Sequence, residues 1–157
     1  MKNQYVITAV LVTLPMIFGQ ANAGEKELSK SQVPKAVIDA FEKAYPNAKG
    51  LEFEEEMFEG KTAYEVEYKE NGIEYELLYS ADGTLLQKEQ EIDGKSLPEP
   101  VAQAVKKAHP KAEITEVEKL MKPDGTLTGY EVDIKTAGKK IELELDVNGN
   151  IIKTENE

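Results

Sequence analysis

"YEVEYKENGIEYELLY", residues 64–79, alternates apolar and polar side chains on both sides of Asn71-Gly72. Asn-Gly is the preferred pair for a two-residue turn whose central residues both need positive φ, so the stretch predicts a hairpin with a fixed register. That register sets Tyr68 opposite Tyr75, Val66 opposite Leu77 and Tyr64 opposite Tyr79 on one face. The other face receives Lys69 with Glu74, Glu67 with Glu76 and Glu65 with Leu78. A face of tyrosine and aliphatic residues needs a cover; a face that sets two glutamates side by side needs a reason.

The cover comes from a repeat. "VPKAVIDAFEKAYPNAK" (residues 33–49) aligns with "LPEPVAQAVKKAHPKAE" (residues 97–113) at an offset of 64, matching Pro34 to Pro98, Ala40 to Ala104, Ala44 to Ala108 and Pro46 to Pro110. The offset then becomes 66, and Tyr64-Glu65-Val66 falls on Tyr130-Glu131-Val132, Gly72 on Gly138, Gly83 on Gly149 and Leu85-Leu86 on Ile151-Ile152. The two extra residues are placed near Lys122-Pro123-Asp124-Gly125, where a hairpin loop lengthens at little cost. Each copy opens with a prediction of about twelve helical residues, started by Pro34 or Pro98 and limited by Pro46 or Pro110. Val37, Phe41, Ala44 and Tyr45, and likewise Val101, Val105, Ala108 and His109, form one stripe at helical spacing. Four strands follow in each copy, joined by short turns that require antiparallel pairing. The fold class is therefore α+β: two tandem repeats, each a short helix on a four-stranded antiparallel sheet.

Carried into the second copy around Ala137-Gly138, the register pairs Ile134 with Ile141, Val132 with Leu143 and Tyr130 with Leu145 under the helix. Asp133 with Glu142 and Glu131 with Glu144 then join Glu67 with Glu76 on the open face. Three carboxylate pairs thus stand on a sheet surface expected to be exposed. Opposed like charges about 5 Å apart repel by about 0.8 kcal/mol in water and by about 3 kcal/mol at an effective dielectric of 20. A wet face tolerates this as a solvated surface, whereas a covered one requires cations.

Charge and composition narrow the partners. Residues 25–93 hold 18 acids against 8 lysines, and residues 94–157 hold 12 against 10, so the first copy carries most of the net −11. Such acidity repels nucleic acid and anionic lipid and attracts basic surfaces. Arginine is absent, and with it the planar fork that holds phosphates and substrate carboxylates. Near the start, Lys2, the apolar run of residues 5–18 and Ala21-Asn22-Ala23 predict an export signal cut after Ala23 and a periplasmic or secreted protein with no later membrane attachment. Zero cysteines leave neither disulfides nor a lipidation site. The division read from this is a signal at 1–23, a linker at 24–30, a first repeat at 31–93 and a second at 94–157.

The paired helix-and-hairpin units, with "YEVEY…YELLYSADGTLL" and "YEVDI…IELELDVNGNII", resemble PepSY-like domains, the group related in fold to the beta-lactamase inhibitor protein. The resemblance covers residues 31–157 and implies an exported, non-catalytic fold whose open sheet meets another protein, in some relatives as an inhibitor. This chain departs from the inhibitor protein in lacking the cysteines that brace its domains.

Catalysis finds no support in the residues. His109 is the single histidine and sits at a helix end, and Ser29, Ser31, Ser80 and Ser96 lie at predicted caps and turns. No cofactor is called for. Metal is the rival reading: Glu131, Asp133, Glu142 and Glu144 offer surface oxygens for calcium or another hard cation at low affinity. "DVNGNIIKTENE", residues 146–157, starts like a calcium loop but has Ile151 where the sixth-position glycine belongs, and it aligns with a plain hairpin of the first copy. The tyrosines at 64, 68, 75 and 79 pack as core, or serve as a binding platform if the faces are exchanged. The reading is a non-catalytic module that engages a basic protein or peptide through Glu65, Glu67, Glu76, Glu131, Asp133, Glu142 and Glu144, with cation binding by surface carboxylates as the alternative.

Overall fold

The computed structural model describes residues 26–156, so the predicted export signal and its cut after Ala23 lie outside the described residues. Among the described residues nine strands follow one another in a single antiparallel sheet, each paired with its chain neighbours. They are β1 Lys26–Glu27, β2 Glu52–Phe58, β3 Lys61–Glu70, β4 Ile73–Ser80, β5 Leu85–Glu91, β6 Glu113–Met121, β7 Leu127–Thr136, β8 Lys139–Asp146 and β9 Ile151–Asn156. Helix α1, Lys35–Ala44, precedes β2, and α2, Glu99–Ala108, precedes β6. Both helices are ten residues long, slightly shorter than the bounding prolines predict. Pro34 and Pro98 stand at the N-caps rather than inside the first turn, and Tyr45 and His109 cap the other ends with φ near −130°, ahead of Pro46 and Pro110.

The hairpin register is the one the turns dictate. Tyr68 faces Tyr75, Val66 faces Leu77 and Glu67 faces Glu76 in β3–β4; Ile134 faces Ile141, Val132 faces Leu143, and Glu131 faces Glu144 in β7–β8. Asn71 and Gly72 take φ of 54° and 82°, and Ala137 accepts 49° beside Gly138 at 79°. One core gathers Val37 and Phe41 of α1 with Phe53, Val66, Tyr68, Leu77 and Tyr79. A second gathers Val101 and Val105 of α2 with Val117, Tyr130, Val132, Ile134, Leu143 and Leu145. The tyrosines are core: Tyr68 meets the rings of Phe41, Tyr45 and Tyr75 at centroid distances of 5.1–5.6 Å.

Each helix is seated by a glycine of the last hairpin in its repeat. A Cβ on Gly83 would lie 2.5 Å from the Ala36 carbonyl oxygen, and one on Gly149 would lie 2.5 Å from that of Pro100, the repeat-equivalent atom. Both glycines also have φ above 80°. Gly83→Ala should therefore cost about 2–3 kcal/mol through the strained turn and the displaced helix, read as a lower denaturation midpoint with an unchanged slope.

The sheet is not flat. β2 and β8 are six strands apart, roughly 29 Å in a flat sheet. Yet Glu54 of β2 and Lys140 and Glu142 of β8 line one cleft of about 320 Å³. Twist is increased by irregularities at the repeat-equivalent places Leu78/Tyr79 and Glu144/Leu145, and by two more in β6. The face opposite the helices becomes the inner wall of a trough. This corrects the exposed surface predicted for the carboxylate pairs. Glu65 and Glu142 are buried at 7% and 9% exposure, and Glu67, Glu76, Glu131, Asp133 and Glu144 are half-buried. Residue alternation assigns a side chain to a face but does not report whether that face curls onto itself.

Candidate ligand site: an acid-lined trough

Strand pairing carries acids across the inner wall. Glu52, Glu54 and Glu56 of β2 stand beside Glu67, Glu65 and Ala63 of β3; Glu76 of β4 faces Glu89 of β5; Glu118 and Glu116 of β6 face Glu131 and Asp133 of β7, which face Glu144 and Glu142 of β8. Ala63, Leu78 and Leu120 supply small buried apolar patches between them. All seven predicted site residues lie on this wall. The strongest burial, however, falls on two residues outside that set, Glu89 at 5% and Glu118 at 4% exposure.

Glu89 was missed because "QKEQE" after Leu85-Leu86 is too polar to look like a strand, so β5 reads two residues long rather than seven, and Glu118 was missed because only the two central hairpin strands of each repeat were paired in register. A signal was nevertheless present. Acid-any-acid triplets recur at 52–54, 54–56, 65–67, 74–76, 89–91, 116–118, 131–133 and 142–144. Period-two acids in every long strand but the last place carboxylates on one face throughout.

Two clefts open into the trough, one of about 320 Å³ and one of about 620 Å³. They share Glu65, Glu76, Glu131 and Glu142. The smaller is almost wholly polar, with Glu67, Glu74, Glu116, Asp133 and Lys140 at its sides. The larger adds an apolar lip of Met57, Leu86 and Ile152 beside Lys122 and Lys153.

Removing carboxylates from water while crowding them together disfavours their charged forms. Burial, with the fields of Glu65, Glu118, Glu89 and Glu131, pushes Glu76 up to about 12. Burial and Glu89 push Glu118 to about 9, and burial outweighs a hydrogen bond from Gln87 to hold Glu89 at about 7. Glu131 is raised well above the ordinary range by burial and by Glu89 and Glu142. Glu67 and Glu74 share a proton: Glu67 keeps it, up to about 8, while Glu74 is lowered by that hydrogen bond and by Lys69, whose Nζ lies 2.5 Å away.

The other residues singled out in the sequence resolve into structural roles. Asp146 Oδ1 accepts hydrogen bonds from the backbone N–H groups of Asn148 and Asn150 at 2.9 Å, and Oδ2 accepts one from the Asn150 side chain at 2.7 Å. Its carboxylate is engaged by the turn, which favours the hairpin reading of residues 146–157; the last of these, Glu157, lies outside the described residues. Ser80 Oγ donates to Asp82 Oδ1 at 2.6 Å in the corresponding turn. His109 caps α2.

A trough walled by strands from both repeats, backed by two helices, defines the class of the molecule. The PepSY-like family, described as beta-lactamase-inhibitor-like, matches the sequence twice, over residues 20–87 and 86–153, and the chain belongs to that family. Its fold is shared with a BLIP-like protein of Bacteroides fragilis, at 24% identity over 79% of this chain and 86% of that one, with a TM-score of 0.53. It is also shared with a protein of Bacteroides eggerthii described as periplasmic, at 17% identity over 79% and 88% of the two chains, with a TM-score of 0.60. No curated protein matches the chain. Among the described residues no helix is long and apolar enough to cross a membrane.

Proposed function

We propose that the chain is an exported, non-catalytic binding protein whose trough captures a basic segment of another protein. The observation carrying this reading is the convergence of glutamates from strands β2 to β8 on one concave wall, where their own repulsion and desolvation raise the free energy of the unliganded state. A lysine side chain suits the larger cleft. Its methylene stem would lie along Met57, Leu86 and Ile152, and its ammonium would reach Glu65, Glu76, Glu131 or Glu142. A basic ligand exchanges a desolvated like-charge cluster for ion pairs, so part of its affinity comes from relieving strain already present. Export is supported by the leader-like start of the sequence and by the relative described as periplasmic.

The test is binding of a lysine-rich peptide containing leucine, followed by calorimetry, against the same peptide with lysine replaced by glutamine. Binding should weaken at least about tenfold between 50 and 500 mM salt, and about tenfold again when Glu67, Glu131, Asp133 and Glu142 become amides. Capture that ignores both salt and these substitutions contradicts the proposal.

A further inference from the structure

The two repeats treat the same carboxylate pair differently. In the second, Glu142 of β8 faces Glu155 of β9, and Lys153 Nζ lies 3.6 Å from Glu142 and 3.1 Å from Glu155. The first-repeat counterparts at the offset of 66 are Glu76 of β4 facing Glu89 of β5. The counterpart of Lys153 there is Gln87, which is neutral and gives one hydrogen bond, from Nε2 to Glu89 Oε1 at 3.0 Å. The other oxygen, Glu89 Oε2, is buried without a hydrogen-bond partner, and so is Glu118 Oε1 across the β5–β6 boundary. Oxygens of Glu76, Glu89 and Glu118 lie within 4.8 Å of one another.

We infer that Glu76, Glu89 and Glu118 form a site for one divalent hard cation of calcium's size, taking the place that the Lys153 ammonium holds in the second repeat. Oxygens sharing an ion at about 2.4 Å are separated by at most about 4.8 Å, which the cluster satisfies. Three carboxylates provide up to six oxygens of the six to eight that calcium takes, and the shared wall of the two clefts admits water for the rest. Orphaned buried oxygens are the signature of a missing partner, since each bears its full desolvation cost.

The location gives the ion a structural consequence. β5 and β6 join the repeats through four residue pairs, Lys88 to Glu91 against Met121 to Glu118, compared with eight pairs in β3–β4. Glu76 and Glu89 belong to one repeat and Glu118 to the other, so the ion would clamp the shortest long-strand junction. This inference stands apart from basic-segment capture, and its test contains no peptide.

The experiment is thermal unfolding of the mature chain at pH 7.5, after chelation, with calcium chloride or with sodium chloride of equal ionic strength, together with a calorimetric calcium titration. Calcium at a hundredfold excess over Kd should raise the midpoint by about 5–10 °C beyond sodium, with one ion per chain, and magnesium should act more weakly. Gln87→Lys should raise the midpoint in chelator and reduce the calcium shift to under about 2 °C, because the protein then carries its own cation. Glu118→Gln should abolish the shift. A calcium effect no larger than that of sodium, or a full calcium shift retained by Gln87→Lys or Glu118→Gln, overturns the assignment.

Discussion

In chelator and at low salt, the protein should melt at a higher temperature at pH 5 than at pH 8, by about 10 °C or more. Glu67, Glu76, Glu89, Glu118 and Glu131 all have folded pKa values above their unfolded value near 4.5. Below the unfolded value both states are protonated, and the stability is fully present. As the pH rises, the unfolded chain ionises first while the folded chain retains protons, so stability falls until the folded groups lose them. The window runs from about 4.5 through 7 for Glu89 and about 9 for Glu118. One net proton retained by the folded state amounts to ~1.4 kcal/mol per pH unit, or about 4 kcal/mol between pH 5 and 8. At this chain length each kcal/mol moves the midpoint by roughly 3 °C. Acids of the opposite sort, Asp82, Asp124 and Asp146, are lowered by hydrogen bonds in their turns. Their contribution is lost only as pH falls through their folded values, below about 4, so an optimum near pH 5 is expected. Calorimetry in matched buffers measures it, and a midpoint that rises from pH 5 to pH 8 contradicts the description of the trough.

The second large effect is a gain of stability from a single amide. Glu131→Gln keeps the shape of a side chain that lies between Glu118 and Glu144 on the inner wall, and it removes the charge. The folded wild type must either bury that charge or take up a proton. At pH 8 the second course costs at most about 1.4 kcal/mol per unit above the ordinary pKa, roughly 5 kcal/mol in all. Glu131→Gln should therefore raise chelator-treated stability at pH 8 by about 1–4 kcal/mol, with a change under about 0.5 kcal/mol at pH 4.5, where the wild-type carboxyl is already neutral. Glu52→Gln, on the exposed edge of the same acid ladder, should change stability by less than about 0.5 kcal/mol at either pH. Denaturant titrations at the two pH values separate a charge effect from a packing effect, because lost packing would appear equally at both.

Much of this molecule could be read from its residues. Asn71-Gly72 fixed the first hairpin, and the offset of 66 transferred its register to Ala137-Gly138, where an alanine accepts positive φ that its own chemistry would not have predicted. The tyrosines and aliphatic residues lie beneath the helices because alternation and a helical stripe are local properties. Curvature is not local. It comes from accumulated twist and from bulges such as Leu78/Tyr79, and it converts a face that alternation marks as outward into a buried wall. The polar strand β5 was illegible for the same reason: Glu89 is buried by the curl of the sheet and not by any apolar pattern within its own strand. What sequence patterning labels polar and exposed is here polar and enclosed.

The most direct measurement of the central claim is a carbon-detected NMR titration of the glutamate side-chain carboxyls in chelator, from pH 3 to pH 9. Glu76 and Glu118 should titrate with midpoints above about pH 6.5, and Glu131 should titrate well above the ordinary carboxylate range. If every glutamate titrates between about pH 3.5 and 5.5, the carboxylates stand in water and the sheet does not enclose them.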